Sequence, residues 1–128
     1  MIKRITYDLT YDIRHKVMWP NKSIDFIKVE GDEDADHFGY FIEDKLVSVI
    51  SVFKTGNTHQ FRKFATLENY QKQGIGSKLL TYVLSSYDGE IWCNARIEKI
   101  RFYEKYGMRQ TDQSFAKGGK EYIIMKKS

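Results

Sequence analysis

A chain of 128 residues, 41% hydrophobic and 30% charged, is long enough to bury one core and too apolar for general disorder. Its formal charge of +4 includes basic residues recurring near Lys54, His59, Arg62, Lys63 and Lys72, which suit an anionic ligand or an ordinary solubilising surface; with no Cys/His pairing or basic-aromatic module, neither nucleic acid nor a metal is an expected partner. The single cysteine excludes an intrachain disulfide. With no apolar run of membrane-spanning length, and with an opening MIKRITYDLTYDIRH that lacks the apolar segment of a secretory signal, a cytoplasmic location off the membrane is expected.

Leu9, Ile13 and Val17 recur at four-residue intervals and predict a helix over residues 8–17, which Pro20 helps to end. Residues 25–30 read as a strand, and residues 31–36, Gly-Asp-Glu-Asp-Ala-Asp, as an exposed acidic turn. That turn lacks the full calcium-loop spacing, so a solvated loop is expected there. Residues 37–42 and 46–53 are rich in β-branched and aromatic residues and flank Glu43-Asp44-Lys45, the pattern of an antiparallel hairpin. Residues 60–67 form a third predicted strand, leading through Glu68-Asn69-Tyr70 into the stretch Gln71-Lys72-Gln73-Gly74-Ile75-Gly76-Ser77.

Beyond that stretch Ile75, Leu79, Leu80, Val83 and Leu84 share one helical face, as expected of a helix lying on a sheet. Ile91-Trp92-Cys93 reads as a central strand, followed by a second helix through Ile97, Ile100, Phe102, Tyr103 and Tyr106, with Gly107 after its end. Gln113-Ser114-Phe115, a Gly118-Gly119 turn and Glu121-Tyr122-Ile123-Ile124-Met125 predict a terminal hairpin. No repeat or linker divides the chain, so residues 1–128 read as one domain of α/β class, a mixed central sheet with packed helices.

A strand, a Gly-x-Gly turn and an amphipathic helix together supply an anion site. The first amides of a helix lack intrahelical acceptors and the aligned peptide dipoles favour negative charge; Gly74 and Gly76 present no side chain, and Ser77 adds a hydroxyl. Neither the longer phosphate loop ending in Gly-Lys-Ser/Thr nor the dinucleotide pattern Gly-x-Gly-x-x-Gly is present. A purely structural glycine turn is the competing reading.

The combination resembles the GNAT superfamily of acyl-CoA-dependent N-acyltransferases. Gln71, Gly74 and Gly76 match its cofactor motif, and a second likeness runs from Cys93-Asn94-Ala95-Arg96 through Phe102-Tyr103-Glu104-Lys105-Tyr106-Gly107-Met108. Gln71 is the less usual choice at the first motif position, and Met108 stands where phenylalanine is frequent. The resemblance implies acetyl-CoA as cosubstrate, with its pyrophosphate near residues 71–77 (Gln71, Lys72, Gln73, Gly74, Ile75, Gly76 and Ser77). It implies a pantetheine arm bonded to the backbone of Phe64, Ala65, Thr66 and Leu67, and a splay between that strand and the one at 91–94 that admits the thioester. Tyr103 matches the family's common general-acid position, and Asn94 a recurring polar position beside the cofactor. Direct transfer to an amine is the implied reaction.

Tyr103 and Asn94 also have ordinary readings, as core packing and as a turn cap, and Cys93 reads as a buried structural thiol. His37 is a candidate base for the acceptor amine, with Glu43, Glu68 and water as other routes and packing as its alternative role. Arg14 and His15 lie on the first helix, where the resemblance allows acceptor contacts. The acceptor is expected to be an amine-bearing small molecule or protein; the acidic residues 32–36 would attract a cationic one. Assembly as a monomer or homodimer is left open. A noncatalytic acetyl-CoA sensor and a basic interaction module are the competing functions.

Overall fold

The computed structural model describes residues 1–127. Seven strands form one sheet in the order β1-β2-β3-β4-β5-β7-β6. They are β1 (Ile2–Ile5), β2 (Asp36–Ile42), β3 (Lys45–Thr55), β4 (Thr58–Thr66), β5 (Ile91–Arg96), β6 (Arg109–Lys117) and β7 (Lys120–Lys127). The helices are α1 (Tyr11–Met18), α2 (Ile75–Ser86) and α3 (Ile100–Lys105). Every pairing is antiparallel except that between β4 and β5. Parallel neighbours need a crossover, and α2 is that crossover.

Alternation along β3 divides the core into two faces. Ile50 and Val52 join the α2 residues Leu79, Leu80, Val83 and Leu84 in the larger cluster, against which Ile100, Phe102, Tyr103 and Tyr106 of α3 also pack. Val49 points to the other side, where it meets Ile13 of α1 and Ala65 of β4. All five apolar positions expected on the buried face of α2 are buried. The β2–β3 connection is a tight turn in which Glu43 and Asp44 both take positive φ (48° and 68°), the backbone twist a two-residue hairpin requires. Gly118 and Gly119 do the same between β6 and β7, at 58° and 78°.

Three expectations are corrected, and one strand was not expected. The first helical segment is a 3₁₀ turn at Tyr7–Thr10 followed by α1, and the tighter pitch rotates Leu9 outward, where it is 48% exposed. Residues 25–30 do not form a strand: Ile24–Ile27 is a 3₁₀ turn that drives Ile27 into complete burial. The helix expected from Ile97 begins at Ile100, after a 3₁₀ turn over Ile97–Lys99, and Ile97 is exposed. Strand β1 had no clear sequence signal, because the pattern Ile-Lys-Arg-Ile is too short for periodicity to declare itself.

Candidate active site

Strands β4 and β5 pair only at His59↔Ile91 and Gln60↔Trp92. Beyond those rungs they diverge, β5 remaining bonded to β7 through Arg96 while β4 remains bonded to β3 through Thr66. The divergence coincides with a bulge in β4. Ser51 faces Arg62 and Val49 faces Ala65, so Lys63 and Phe64 together oppose Ile50, and Lys63 adopts a φ of 55°. An extra residue bends a strand and increases its twist. The result is a cleft of about 870 Å³ between the two strands, walled by Phe61 to Thr66 on one side and Cys93 and Asn94 on the other. Its lining also takes in Gly74, Gly76 and Ser77 at the start of α2, and Val17, Met18 and Trp19. The β4 edge it exposes carries backbone groups with no partner strand.

The loop entering α2 is held by its own side chains. Gln71 Nε2 donates to the Thr66 carbonyl at 2.9 Å, and Gln73 Nε2 to the Asn69 carbonyl at 3.1 Å. Lys72 and Gly74 both take positive φ, 63° and 80°. The amides of residues 72–77 have no acceptor among the described residues, and the Lys78 amide, donating to the Gly74 carbonyl at 3.1 Å, is the first that is satisfied. The two glycines do different things. A Cβ on Gly74 would meet nothing within 4 Å, so the need there is for the left-handed backbone. A Cβ on Gly76 would touch Phe64 Cζ at 3.4 Å and Thr66 Oγ1 at 3.5 Å, so the first turn of α2 lies close against β4.

The expected cofactor residues divide accordingly. Phe64, Ala65, Thr66, Gln71, Lys72, Gly74, Gly76, Ser77, Asn94 and Tyr103 all border the cleft. Leu67 instead lines a neighbouring depression with Glu68 and Tyr70. The Ile75 side chain is core, and that of Gln73 is committed to Asn69, leaving each only its amide to offer.

Tyr103 is half-buried, its ring 5.8 Å from Phe61 and 5.3 Å from Phe102. Burial, aided by the nearby Cys93 thiol, raises its phenol above the ordinary value of 10. Cys93 is itself buried, and burial pushes its thiol up to about 12, which keeps it protonated and a poor nucleophile. Asn94 is exposed on the cleft wall.

The expected amine-side base and the acidic turn meet elsewhere. His37 is 2% exposed and does not border the cleft; Ser51 Oγ lies 2.7 Å from its Nδ1 and the Asp32 carbonyl 2.7 Å from its Nε2. A carbonyl can only accept, so Nε2 carries the proton and Nδ1 accepts from Ser51. Both nitrogens are occupied, and His37 is a packing residue, not a group open to an acceptor.

Asp32, expected in solvent, is 4% exposed. Arg14, fully buried, donates Nη1 and Nη2 to its two carboxylate oxygens at 2.9 Å each, and reaches Ser51 Oγ at 2.9 Å and the Ile27 carbonyl at 3.2 Å. Burial pushes the Asp32 carboxyl up, but the Arg14 hydrogen bonds, the Val29 amide and the Arg14 charge outweigh it and hold its pKa below the usual range. Asp36 is likewise engaged, by Arg4 and by the Tyr87 hydroxyl. Glu43 sits in the β2–β3 turn. His15, whose Nε2 lies 2.6 Å from the Lys22 carbonyl, does not border the cleft.

Arg62 and Lys63, which the sequence marked only as members of a basic stretch, border the cleft, as does Trp19, which the sequence did not single out. The bulge that turns Lys63 is a property of register, which no residue type announces. Among the described residues no group of three or more His, Cys, Asp or Glu could hold a metal, and no helix is long and apolar enough to cross a membrane.

Comparison with known proteins agrees with this architecture. The family described as Acetyltransferase (GNAT) domain matches residues 15–128. The uncharacterized N-acetyltransferase YitI of Bacillus subtilis (strain 168) is 30% identical over 141 residues, spanning 99% of this chain and 95% of the relative. Among solved structures, Escherichia coli ElaA superposes with a TM-score of 0.83 at 15% identity, covering 100% of this chain and 99% of that one. A GNAT family acetyltransferase from Elizabethkingia anophelis, solved with acetyl-CoA bound, superposes with a TM-score of 0.77 at 17% identity, covering 99% and 96%. With its split sheet, its loop of unpaired amides at the head of α2 and a family match over nearly its whole length, the chain belongs to the GNAT acetyltransferases.

Proposed function

We propose that the protein transfers an acetyl group from acetyl-CoA directly to a primary amine. The observation that carries this reading is the run of unsatisfied amides at residues 72–77, opening onto the cleft between β4 and β5. Such amides at the positive end of a helix suit a diphosphate. The unpaired edge of β4 from Phe64 to Thr66 suits the amides of a pantetheine arm, and the relatives with acetyl-CoA or coenzyme A in their structures lend the same support. A cleft of about 870 Å³ has room for a long ligand together with a small acceptor.

Acetyl-CoA supplies the activated acetyl thioester. The chain's part is to hold it and the amine in register, which is worth much of the rate of a bimolecular step. As the new C–N bond forms and the C–S bond breaks, the departing sulfur needs a proton, and Tyr103 Oη is the donor: its raised pKa keeps the phenol protonated until a thiolate forms beside it. Asn94 offers a hydrogen bond from the opposite strand. No carboxylate or imidazole borders the cleft among the described residues, so the ammonium of the acceptor loses its proton to water.

Calorimetric titration with acetyl-CoA, followed by a screen of primary amines for free-thiol release and acetylated product mass, tests the reading. Binding and product formation are expected. Folded protein with no affinity for acetyl-CoA overturns it, and binding without turnover across diverse amines makes the protein a sensor instead.

A further inference from the structure

We propose that the acceptor is a primary amine that also carries a carboxylate or phosphate, and that Lys63, assisted by Arg62, binds that anionic group at the β4 bulge. The inference rests on the acetyl-transfer reading and names its second substrate. All the charged side chains bordering the cleft are cations: Arg62, Lys63, Lys72, Arg96, Lys99 and Lys120. Lys72 belongs to the loop already assigned to the diphosphate, and Arg96 Nε is 2.8 Å from Glu98.

Of these six, Lys72 has a left-handed backbone but is exposed, and Lys63 alone combines such a backbone with a half-buried side chain. Its backbone is held at a φ of 55°, an arrangement that is strained for a lysine and persists where the surroundings impose it. Its side chain is half-buried with no carboxylate within ion-pair distance among the described residues. Burial, followed by the charges of Arg62, Arg14 and Lys117, lowers its pKa; of the groups acting on it only Asp32 pulls the other way. Asp32 is already committed, both its oxygens to Arg14. Arg62 is kept beside it by stacking on Phe53 at 5.6 Å.

A partly desolvated, electropositive pocket with no internal counter-ion repels a simple polyamine and gains from an anion. Its position agrees. Lys63 lies three residues along β4 from Thr66, about 10 Å from the strand end that meets the diphosphate loop. Its side chain borders the same cleft, on the β4 wall. An anion held there, with its amine pointing into the split sheet, is separate from the phosphates of the cosubstrate.

Calorimetric titration of β-alanine, O-phosphoethanolamine and 1,3-diaminopropane into the protein, alone and saturated with coenzyme A, tests this. The two anionic amines should bind about tenfold or more tightly than the diamine. Lys63→Met should abolish the preference and leave coenzyme A affinity within about twofold, and Lys63→Arg, which keeps the charge at the same backbone angle, should restore it. Equal or tighter binding of the diamine overturns the proposal, and so does a Lys63→Met variant that loses coenzyme A and anionic amines alike. If the protein fails to bind coenzyme A, the acetyl-transfer reading falls, while the titrations without it still decide whether the pocket selects anions.

Discussion

Replacing Tyr103 by phenylalanine separates chemistry from packing at the one side chain that has both. The ring contributes to the cluster around Phe61 and Phe102, and phenylalanine preserves those contacts. The hydroxyl contributes no hydrogen bond that shifts its ionisation; burial and the Cys93 neighbour alone raise the phenol. Deleting it therefore removes no internal bond, and stability should change by less than about 0.5 kcal/mol. Loss of a proton donor to the departing sulfur should lower kcat by about 10²- to 10⁴-fold, or 2.7–5.4 kcal/mol of barrier. The KM for acetyl-CoA should move little, because the diphosphate and pantetheine contacts lie elsewhere. In the wild type kcat should show no alkaline fall up to about pH 10, since the acid form of a phenol raised by burial survives past its ordinary pKa. Steady-state kinetics and thermal unfolding on one preparation check both halves. A Phe variant with wild-type kcat, or one whose lost activity follows lost stability, would refute the assignment.

The glycines should behave unequally: Gly76→Ala, on a helix and with room for a methyl, should hold or raise stability by up to about 1 kcal/mol and bind acetyl-CoA normally. Gly74→Ala places a Cβ at a φ of 80°, which costs about 1–2 kcal/mol and turns the loop amides, so acetyl-CoA affinity falls; calorimetry and chemical denaturation distinguish the two. Asp32→Asn leaves the fully buried Arg14 charge uncompensated and should destabilise the fold by about 3–5 kcal/mol in urea titrations. In the wild type the Asp32 carboxyl has a lowered folded-state pKa, so its contribution is complete above the unfolded value near 3.9 and is lost as pH falls through the folded value. Lys63 has the opposite sign: its lowered folded-state pKa means the unfolded chain holds the proton better, so the charge opposes folding at neutral pH. Lys63→Met should raise the melting temperature while weakening anionic acceptors, and wild-type affinity for those acceptors should decline with rising pH earlier than an ordinary lysine would allow.

Where the chain organises itself locally, its pattern was sufficient. The β2–β3 hairpin, the glycine loop with α2 behind it, β5 and the terminal hairpin each repeat a short-range period or turn chemistry that residue order displays directly. The cofactor side of the site was legible for the same reason, since a strand, a Gly-x-Gly turn and an amphipathic helix are contiguous. The residues expected on the acceptor side are placed by contacts between elements far apart in the chain. Asp32 sits in a run of acidic residues whose ordinary fate is solvent, and only Arg14, eighteen residues earlier, explains its burial. His37 was a plausible base by residue type until Ser51 and the Asp32 carbonyl took both its nitrogens.

Those misplacements have one cause, and it bears on specificity. A buried arginine needs an acid, and the fold satisfies Arg14 with a carboxylate that the sequence places in a solvated acidic turn. Arg14, Asp32, Ser51 and His37 thereby tie α1, the acidic turn, β2 and β3 into one network beneath the face where β4 bulges. The same contacts that hold this face together leave Lys63 without a carboxylate partner. With Asp32 committed to Arg14, the charge left at the bulge is positive. An Arg14→Met, Asp32→Leu double variant removes the network without stranding a charge, and buried pairs replaced this way often keep their stability. It should retain the preference for anionic amines. Conversion to a preference for diamines would show that the network, and not Lys63, sets the sign of the pocket.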